Sequence, residues 1–532
     1  MSAPDAIVVG AGPAGVSAAW ALLERGARVL QLEGGGTPRA SLPPQRYAEF
    51  RASAAEQWRL LVGARLEALA VAPDASPKFR VPEHARMFAA WSREFATASD
   101  GFVAQGMLAV GGMTNAWGGG VSRFDEQELA ACGLPAHEMA ESYARVERRI
   151  GVSGDAADDL APYFGPSAEL QPATPLVGAS SILMAGYRER RARAHAAGLR
   201  LGRSRLALVT RDHGARRACA ACNFCLYGCE RHAVYSAADE VAEMRARAGY
   251  ALEEDVVVER LERSPDGWRV LARRRRSGER VAREAPRVLL AGGALVSARL
   301  ALDALGRYRA PVAVHCHPTA GVGMIVPRAR PARVLDGYAI GQLDYLLDGV
   351  LDAGFAYGSV LPVDALPLSS LLGRAPLGRA AARVALRRLT PLLLAANVFL
   401  PSTLARCRME LGADGVARFA GGHAPEADAA FARAARVLRR GFAACGAWLL
   451  PGSFAVVEPG ADLHYGGTIA HSAPADAALA AAADGTVRGL DGVHVVDGAA
   501  VAPLPAKPPT LTFMANADRI ARALPLGSAA SR

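Results

Sequence analysis

Cys219, Cys222, Cys225 and Cys229 fall within eleven residues and space their thiols as Cys-x2-Cys-x2-Cys-x3-Cys. Spacings this short let one loop wrap a small inorganic core with several thiolates, and the same pattern occurs in bacterial ferredoxins, where the fourth cysteine can serve a different cluster. Four thiolates would also suit a structural zinc ion, and a loop of thiols that holds nothing is a third reading. No second cluster motif occurs elsewhere. Cys132, Cys316, Cys407 and Cys445 stand alone and read as ordinary core or surface residues.

A second constellation suits phosphate. In Gly10-Ala11-Gly12-Pro13-Ala14-Gly15, Gly10 permits a tight turn, Gly12 lets the backbone approach a pyrophosphate, and Gly15 allows a helix to pack closely on a strand. The helix that follows offers free N–H groups and the positive end of its dipole. Glu33, at the end of the next strand, can accept both hydroxyls of an adenosine ribose. This unit does not by itself choose between NAD and FAD.

The elements that position these groups follow from local pattern. Asp5 to Val9 is an apolar, β-branched run and reads as a buried parallel strand; Val16 to Arg25 is a run of helix formers that stops at Gly26; Ala27 to Leu32 is a second strand. The chain has 532 residues, more than one ordinary core needs, so two closely joined domains are expected. Apolar residues make up 51 % of it, yet no run approaches the roughly 20 that a membrane span requires. The longest, Pro391 to Leu400, reads as a buried strand or short core helix. The net charge of +10 comes almost wholly from arginines scattered along the chain, which argues against a nucleic-acid partner. Their tightest cluster, Arg273 to Arg276 before Ser277-Gly278, reads as a solvated hairpin turn. The first strand begins a few residues from Met1, which leaves no room for a secretory leader. A cytoplasmic location with reduced thiols is therefore expected, although export with a partner subunit stays open.

Four further segments resemble the glucose-methanol-choline (GMC) family of flavin oxidoreductases. In Gly111-Gly112-Met113-Thr114-Asn115-Ala116-Trp117-Gly118-Gly119 the resemblance implies a loop around the flavin, with Gly112, Thr114, Asn115, Trp117 and Gly118 as contacts. The wording is most similar to pyranose 2-oxidase, whose loop carries a flavin-linked histidine. Ala116 stands in its place, which implies non-covalent FAD. Val288 to Leu300, with Ala291-Gly292-Gly293, resembles the strand and turn that pass beside the flavin, and Val257 lies in a strand similar to the one that brackets adenine. The last segment, Gly492 to Val501, resembles the family's closing strand, implying contacts from Asp497 and Gly498. The helix beginning near Pro509 and Thr510 would aim its N-terminus at the flavin pyrimidine.

Oxidising an alcohol by hydride transfer requires a group to take the hydroxyl proton, and a neutral histidine suits that task. His464, in Leu463-His464-Tyr465-Gly466-Gly467-Thr468, matches the family's His-x-x-Gly-Thr catalytic histidine. A second Asn or His is usual near the start of the final helix, but Pro508 stands there. Lys507 or His471 could substitute, and Lys507 could equally be a solvated loop residue. The cysteine loop is similar to that of GMC sugar dehydrogenases with an iron–sulfur cluster, whose three ligands match Cys219, Cys225 and Cys229; Cys222 is additional and would permit a four-iron rather than a three-iron cluster.

The resemblance implies an α/β fold, with a Rossmann-type FAD-binding domain over 1–165, 215–325 and 455–532 and an inserted antiparallel-sheet substrate domain over 166–214 and 326–454. Strands are expected at 395–400 and 407–411. The implied activity is an FAD-dependent dehydrogenase acting on the CH–OH group of a sugar, glycoside or polyol, passing electrons through the cluster to a protein or quinone acceptor. The alternatives are an oxygen-using oxidase and a non-redox lyase that keeps FAD as structure.

Overall fold

Ala6–Val9 is buried along its whole length and carries no polar side chain, as a strand covered on both faces must. In the computed structural model, which describes residues 3–38, 42–53, 55–69, 76–167, 169–329, 337–363, 366 and 377–526, it is the middle of a five-stranded parallel sheet. The order is Val493–Val495, Val288–Leu290, Ala6–Val9, Val29–Leu32, Tyr250–Glu253. Strands from both ends and the centre of the chain thus lie side by side, and the turns that leave them share one edge. The helix Pro13–Glu24 is rich in alanine and packs closely along the C-terminal helix Thr510–Ala523. An ion pair between Glu24 and Arg522 ties the two.

An antiparallel sheet of Val256–Ser264, Gly267–Arg274 and Arg280–Ala285 stands against the parallel sheet. Its turn lies where the arginine cluster places it, but the arginines are not simply solvated. Arg273 pairs with Glu94 and Glu259, Arg274 with Glu253, and Arg275 and Arg276 with Asp255. The acids come from the end of the helix Pro82–Glu94, the end of the strand Tyr250–Glu253, the residue before Val256–Ser264 and that strand itself, which the four arginines alone could not bring into view.

The second layer is a seven-stranded sheet, with Trp448–Leu449, Thr319–Ile325, Leu393–Phe399, Ala356–Pro362, Leu343–Leu347 and Leu199–Arg203 in order and Ala455–Val456 pairing beside Thr319–Ile325. Leu393–Phe399 alternates between fully and partly buried positions, which settles the apolar run as a strand. One face packs on the helices Gly178–Glu189 and Pro425–Ala444, around Leu183, Leu394, Val398, Phe431 and Phe442. Tyr357 and Phe399 pack instead with Leu160 and Ala506. The expected strand at 407–411 forms as Arg408–Leu411 but joins a different, four-stranded sheet with Val312–Ala313, Ala417–Ala420 and Thr97–Asp100. Its pairing partners are far apart in sequence, so its hydrophobic pattern gives no sign of which sheet it joins.

The fold class is therefore the expected one: an α/β fold in which a Rossmann-type parallel sheet carries an inserted antiparallel-sheet domain. No described helix is long and apolar enough to cross a membrane.

Candidate dinucleotide and catalytic site

Gly10 leaves the first strand at φ +105°, and a Cβ there would stand 2.4 Å from the Ala291 carbonyl oxygen. Gly15 is confined in the same way, since its Cβ would meet the Gly10 oxygen at 2.2 Å. Gly12 differs, with nothing within 4 Å of a Cβ, so the turn presents open space where a phosphate would approach and close packing where the strands meet. Pro13 and Ala14 open the helix, and Gly12 caps it without a side-chain hydrogen bond, leaving N–H groups available. Glu33 is buried; its two carboxylate oxygens accept the Ala11 and Gly35 N–H groups, each at 2.8 Å. Burial raises its pKa to about 7 against the lowering effect of those two bonds.

The loop expected to wrap the flavin is stapled to this turn. Gly111 N–H donates to Ala11 O at 2.8 Å, and a Cβ on Gly112 would meet Gly12 Cα at 3.1 Å. The side chains in the loop hold it in place: Thr114 Oγ1 accepts the Ala237 N–H, Asn115 accepts from Ser236 Oγ and donates to Val110 O and Gly112 O, and Trp117 Nε1 donates to Tyr235 O. Gly118 O accepts the Tyr338 hydroxyl. Val257 packs beside Gly34, and Gly292 lies 3.0 Å from the position a Gly10 Cβ would take. Asp497 is buried and accepts from Gly293 N–H (2.8 Å), Ser297 Oγ (2.6 Å) and Ala499 N–H (2.9 Å). Gly498 follows it against Tyr465 and Phe513, and Pro509 and Thr510 begin the final helix. These segments surround one concave edge of the sheet with free N–H groups, small residues and no side chain filling the place a pyrophosphate would take beside Gly12, so the residues present fit FAD.

Cys219, Cys225 and Cys229 pack together with Leu206, Leu208, Val209 and Tyr338, while Cys222 packs with Tyr47 and Phe224. Backbone N–H groups point at three of the sulfurs: Ala221 at Cys219 Sγ (3.4 Å), Ala339 at Cys225 Sγ (3.4 Å) and Ala233 at Cys229 Sγ (3.3 Å). Ala221, Asn223 and His232 adopt positive φ, so this loop keeps a left-handed path that ordinary residues disfavour. Burial raises the Cys219 and Cys225 pKa values. Among the described residues no three cysteine thiols lie within 4.8 Å of one another, whereas a tetrahedral zinc ion would draw them to about 3.8 Å. In another departure from sequence reading, the isolated Cys316 and Cys407 meet, with sulfurs 3.9 Å apart.

His464 Nδ1 lies 3.1 Å from His317 Nδ1, and the His317 Nε2–H donates to Pro505 O at 2.8 Å. Asp462 Oδ2 accepts the His317 backbone N–H at 2.9 Å and stands 3.5 and 3.6 Å from the two Nδ1 atoms. These three form the one group of His, Cys, Asp or Glu side chains among the described residues whose donor atoms gather within 4.8 Å. Burial lowers the His464 pKa to about 3; Asp462 opposes the shift, and the neighbouring His317 and Lys78 side chains add to it. Lys78 itself is lowered to about 8 by burial, against the attraction of Asp462.

Lys507 and His471 are placed elsewhere. The Lys507 ammonium donates to Glu128 at 2.7 Å and stands 4.5 Å over the Tyr163 ring, and the His471 ring meets Asn516 and Ala482 O. Neither makes a hydrogen bond to His464. Sequence reasoning missed His317, Asp462 and Lys78. The available signals were Asp462 two residues before His464, the close pair His315 and His317, and Lys78 as the chain's other lysine.

Fold and site together define an α/β protein with a glycine-rich turn at the edge of its parallel sheet and a histidine centre beneath the sheet domain. The structure of pyridoxine 4-oxidase from Mesorbium loti matches this chain with a TM-score of 0.59 at 17 % identity, covering 98 % of each chain. That likeness is one of fold. No protein-family model and no curated protein sequence matches the chain.

Proposed function

We propose that the chain is an FAD-dependent oxidoreductase acting on CH–OH groups, with His464 as the proton acceptor. The observation that carries the reading is the meeting of Gly12, Asp497 and the Gly111–Gly119 loop at one sheet edge, in a fold shared with an oxidase of an alcohol-bearing ring compound. Bound FAD supplies the two-electron acceptor for the substrate hydride. The chain's own residues do the rest: His464 takes the hydroxyl proton, the glycine turn and helix N-terminus hold the pyrophosphate, and Glu33 orients the ribose. An anaerobic visible spectrum of the purified protein, before and after addition of D-glucose, sorbitol, benzyl alcohol or pyridoxine, tests it. A flavin spectrum bleached by one of these alcohols is expected; protein that neither carries nor binds FAD would reject the reading.

Glu33 gives the site a pH dependence. A carboxyl raised to about 7 stabilises the FAD-free protein on the acid side, and that contribution fades as pH rises from about 4.5 through 7. Ribose hydroxyls donate best to the ionised carboxylate, so FAD affinity should rise between pH 6 and pH 8 and level off above. Fluorescence titration with FAD checks this, and Glu33→Gln should flatten the curve.

The finer reading is a dehydrogenase for a sugar, glycoside or polyol whose electrons leave through an iron–sulfur cluster on Cys219, Cys225 and Cys229, with Cys222 as a fourth ligand, to a protein or quinone acceptor. Its support is the cysteine spacing and the three N–H groups directed at those sulfurs, since such bonds help set cluster potentials. Cys225→Ser should lower iron content and slow electron delivery to one-electron acceptors such as ferricyanide, while substrate still bleaches the flavin at the original rate. Elemental analysis giving zinc would replace the relay by a structural site, and efficient turnover with oxygen alone would favour an oxidase.

A further inference from the structure

The pair His317 and His464 has a polarity that the hydrogen bonds fix. His317 gives its Nε2 proton to Pro505 O, a backbone acceptor that cannot reverse the bond. A neutral His317 therefore presents a bare Nδ1, and the 3.1 Å contact with His464 requires the proton of that bond to sit on His464 Nδ1. The lone pair of His464 is then on Nε2, which has no protein hydrogen-bond partner among the described residues. Beside both rings, the Asp462 side chain is fully buried, and its Oδ1 has no hydrogen-bond partner among the described residues.

Resting on the oxidoreductase reading above, we propose that His317 and Asp462 are positioning residues that make His464 a base at Nε2: His317 fixes its tautomer, and Asp462 compensates the positive charge it acquires. As the substrate C–H bond breaks and its hydride leaves for the flavin, the O–H proton goes to His464 Nε2 and the alcohol carbon becomes a carbonyl. His464 is then an imidazolium whose Nδ1–H still donates to His317. Its charge lies next to the Asp462 carboxylate, with the Lys78 ammonium as the opposing charge. Burial disfavours the charged form of the ring, and the Asp462 carboxylate works against that effect.

Two readouts test the assignment. In protein labelled with 15N-histidine, two-bond proton–nitrogen correlations should show the resonance lost in His464→Ala to be protonated at Nδ1 and bare at Nε2, with or without FAD. Flavin reduction by whichever of the four alcohols bleaches the wild type should slow about 10- to 100-fold in His317→Phe, which keeps the ring but has no acceptor. His317→Asn, whose Oδ1 falls near the place of Nδ1, should recover most of that rate. Protonation at Nε2 in the wild type, equal rates in all three proteins, or equal losses in both variants would overturn the proposal. Stoichiometric metal whose chelation frees both rings would also overturn it, in favour of a metal bridge. His464→Ala run in parallel separates the two readings: if it reduces its flavin normally, the base reading itself fails, whereas slow reduction in His464→Ala with normal reduction in His317→Phe rejects only the role of His317.

Discussion

His464→Ala should bind FAD as the wild type does and reduce it about 10² to 10⁴ times more slowly with an alcohol substrate, the usual cost of losing a general base. Stopped-flow absorbance under anaerobic conditions measures the step directly, free of any effect on the electron acceptor. The structure supplies the reason for separating binding from rate. The turn that leaves the first strand is built by Gly10, Gly12 and Gly15, whereas His464 belongs to the centre with Asp462 and His317. Unaltered reduction would remove His464 from the chemistry.

Gly10→Ala should strongly destabilise the fold, while Gly12→Ala should cost the protein only its flavin. At Gly10 a methyl group would have to occupy space 2.4 Å from one backbone atom and 2.8 Å from another, at φ +105°. Left-handed strain of about 1–2 kcal/mol adds to overpacking of about 1–3 kcal/mol. Their sum is a large part of the roughly 5–15 kcal/mol that holds a domain together. Gly12 has φ −77° and open space around it, so alanine costs the unliganded protein little. There the methyl group would stand in the path of the pyrophosphate. Thermal unfolding of FAD-free protein and FAD titration together distinguish the two, and equal stability of both variants would show that the Gly10 turn can relax.

Local sequence determined the βαβ unit, because each part of it depends on near neighbours: a β-branched run, glycines at fixed steps, helix formers, then a strand ending in an acid. It also carried the strand at Leu393–Phe399, expected at 395–400, and the cysteine loop, whose thiol spacing is a property of eleven consecutive residues. The turn at Arg273–Arg276 was legible, but its ion pairs were not, since Glu94 reaches it from the end of a helix and Asp255 and Glu259 from the preceding strand and the turn before it. The same limit applies to Arg408–Leu411, where periodicity marks a strand but says nothing of its neighbours.

Tertiary structure decided which polar groups meet. Lys507, adjacent in sequence to Pro508, was a reasonable substitute for a missing partner, but a buried ammonium needs a carboxylate, and Glu128 supplies one 379 positions away. His317 is 147 positions from His464 and reaches it only because the segment before Thr319–Ile325 passes beneath the sheet domain. A motif records the residue that touches the ligand, since spacing around it is local; the groups that set its tautomer and charge come from whichever strand the fold lays alongside. The sequence alone could therefore name a histidine, and only the packing of distant segments could give it a partner.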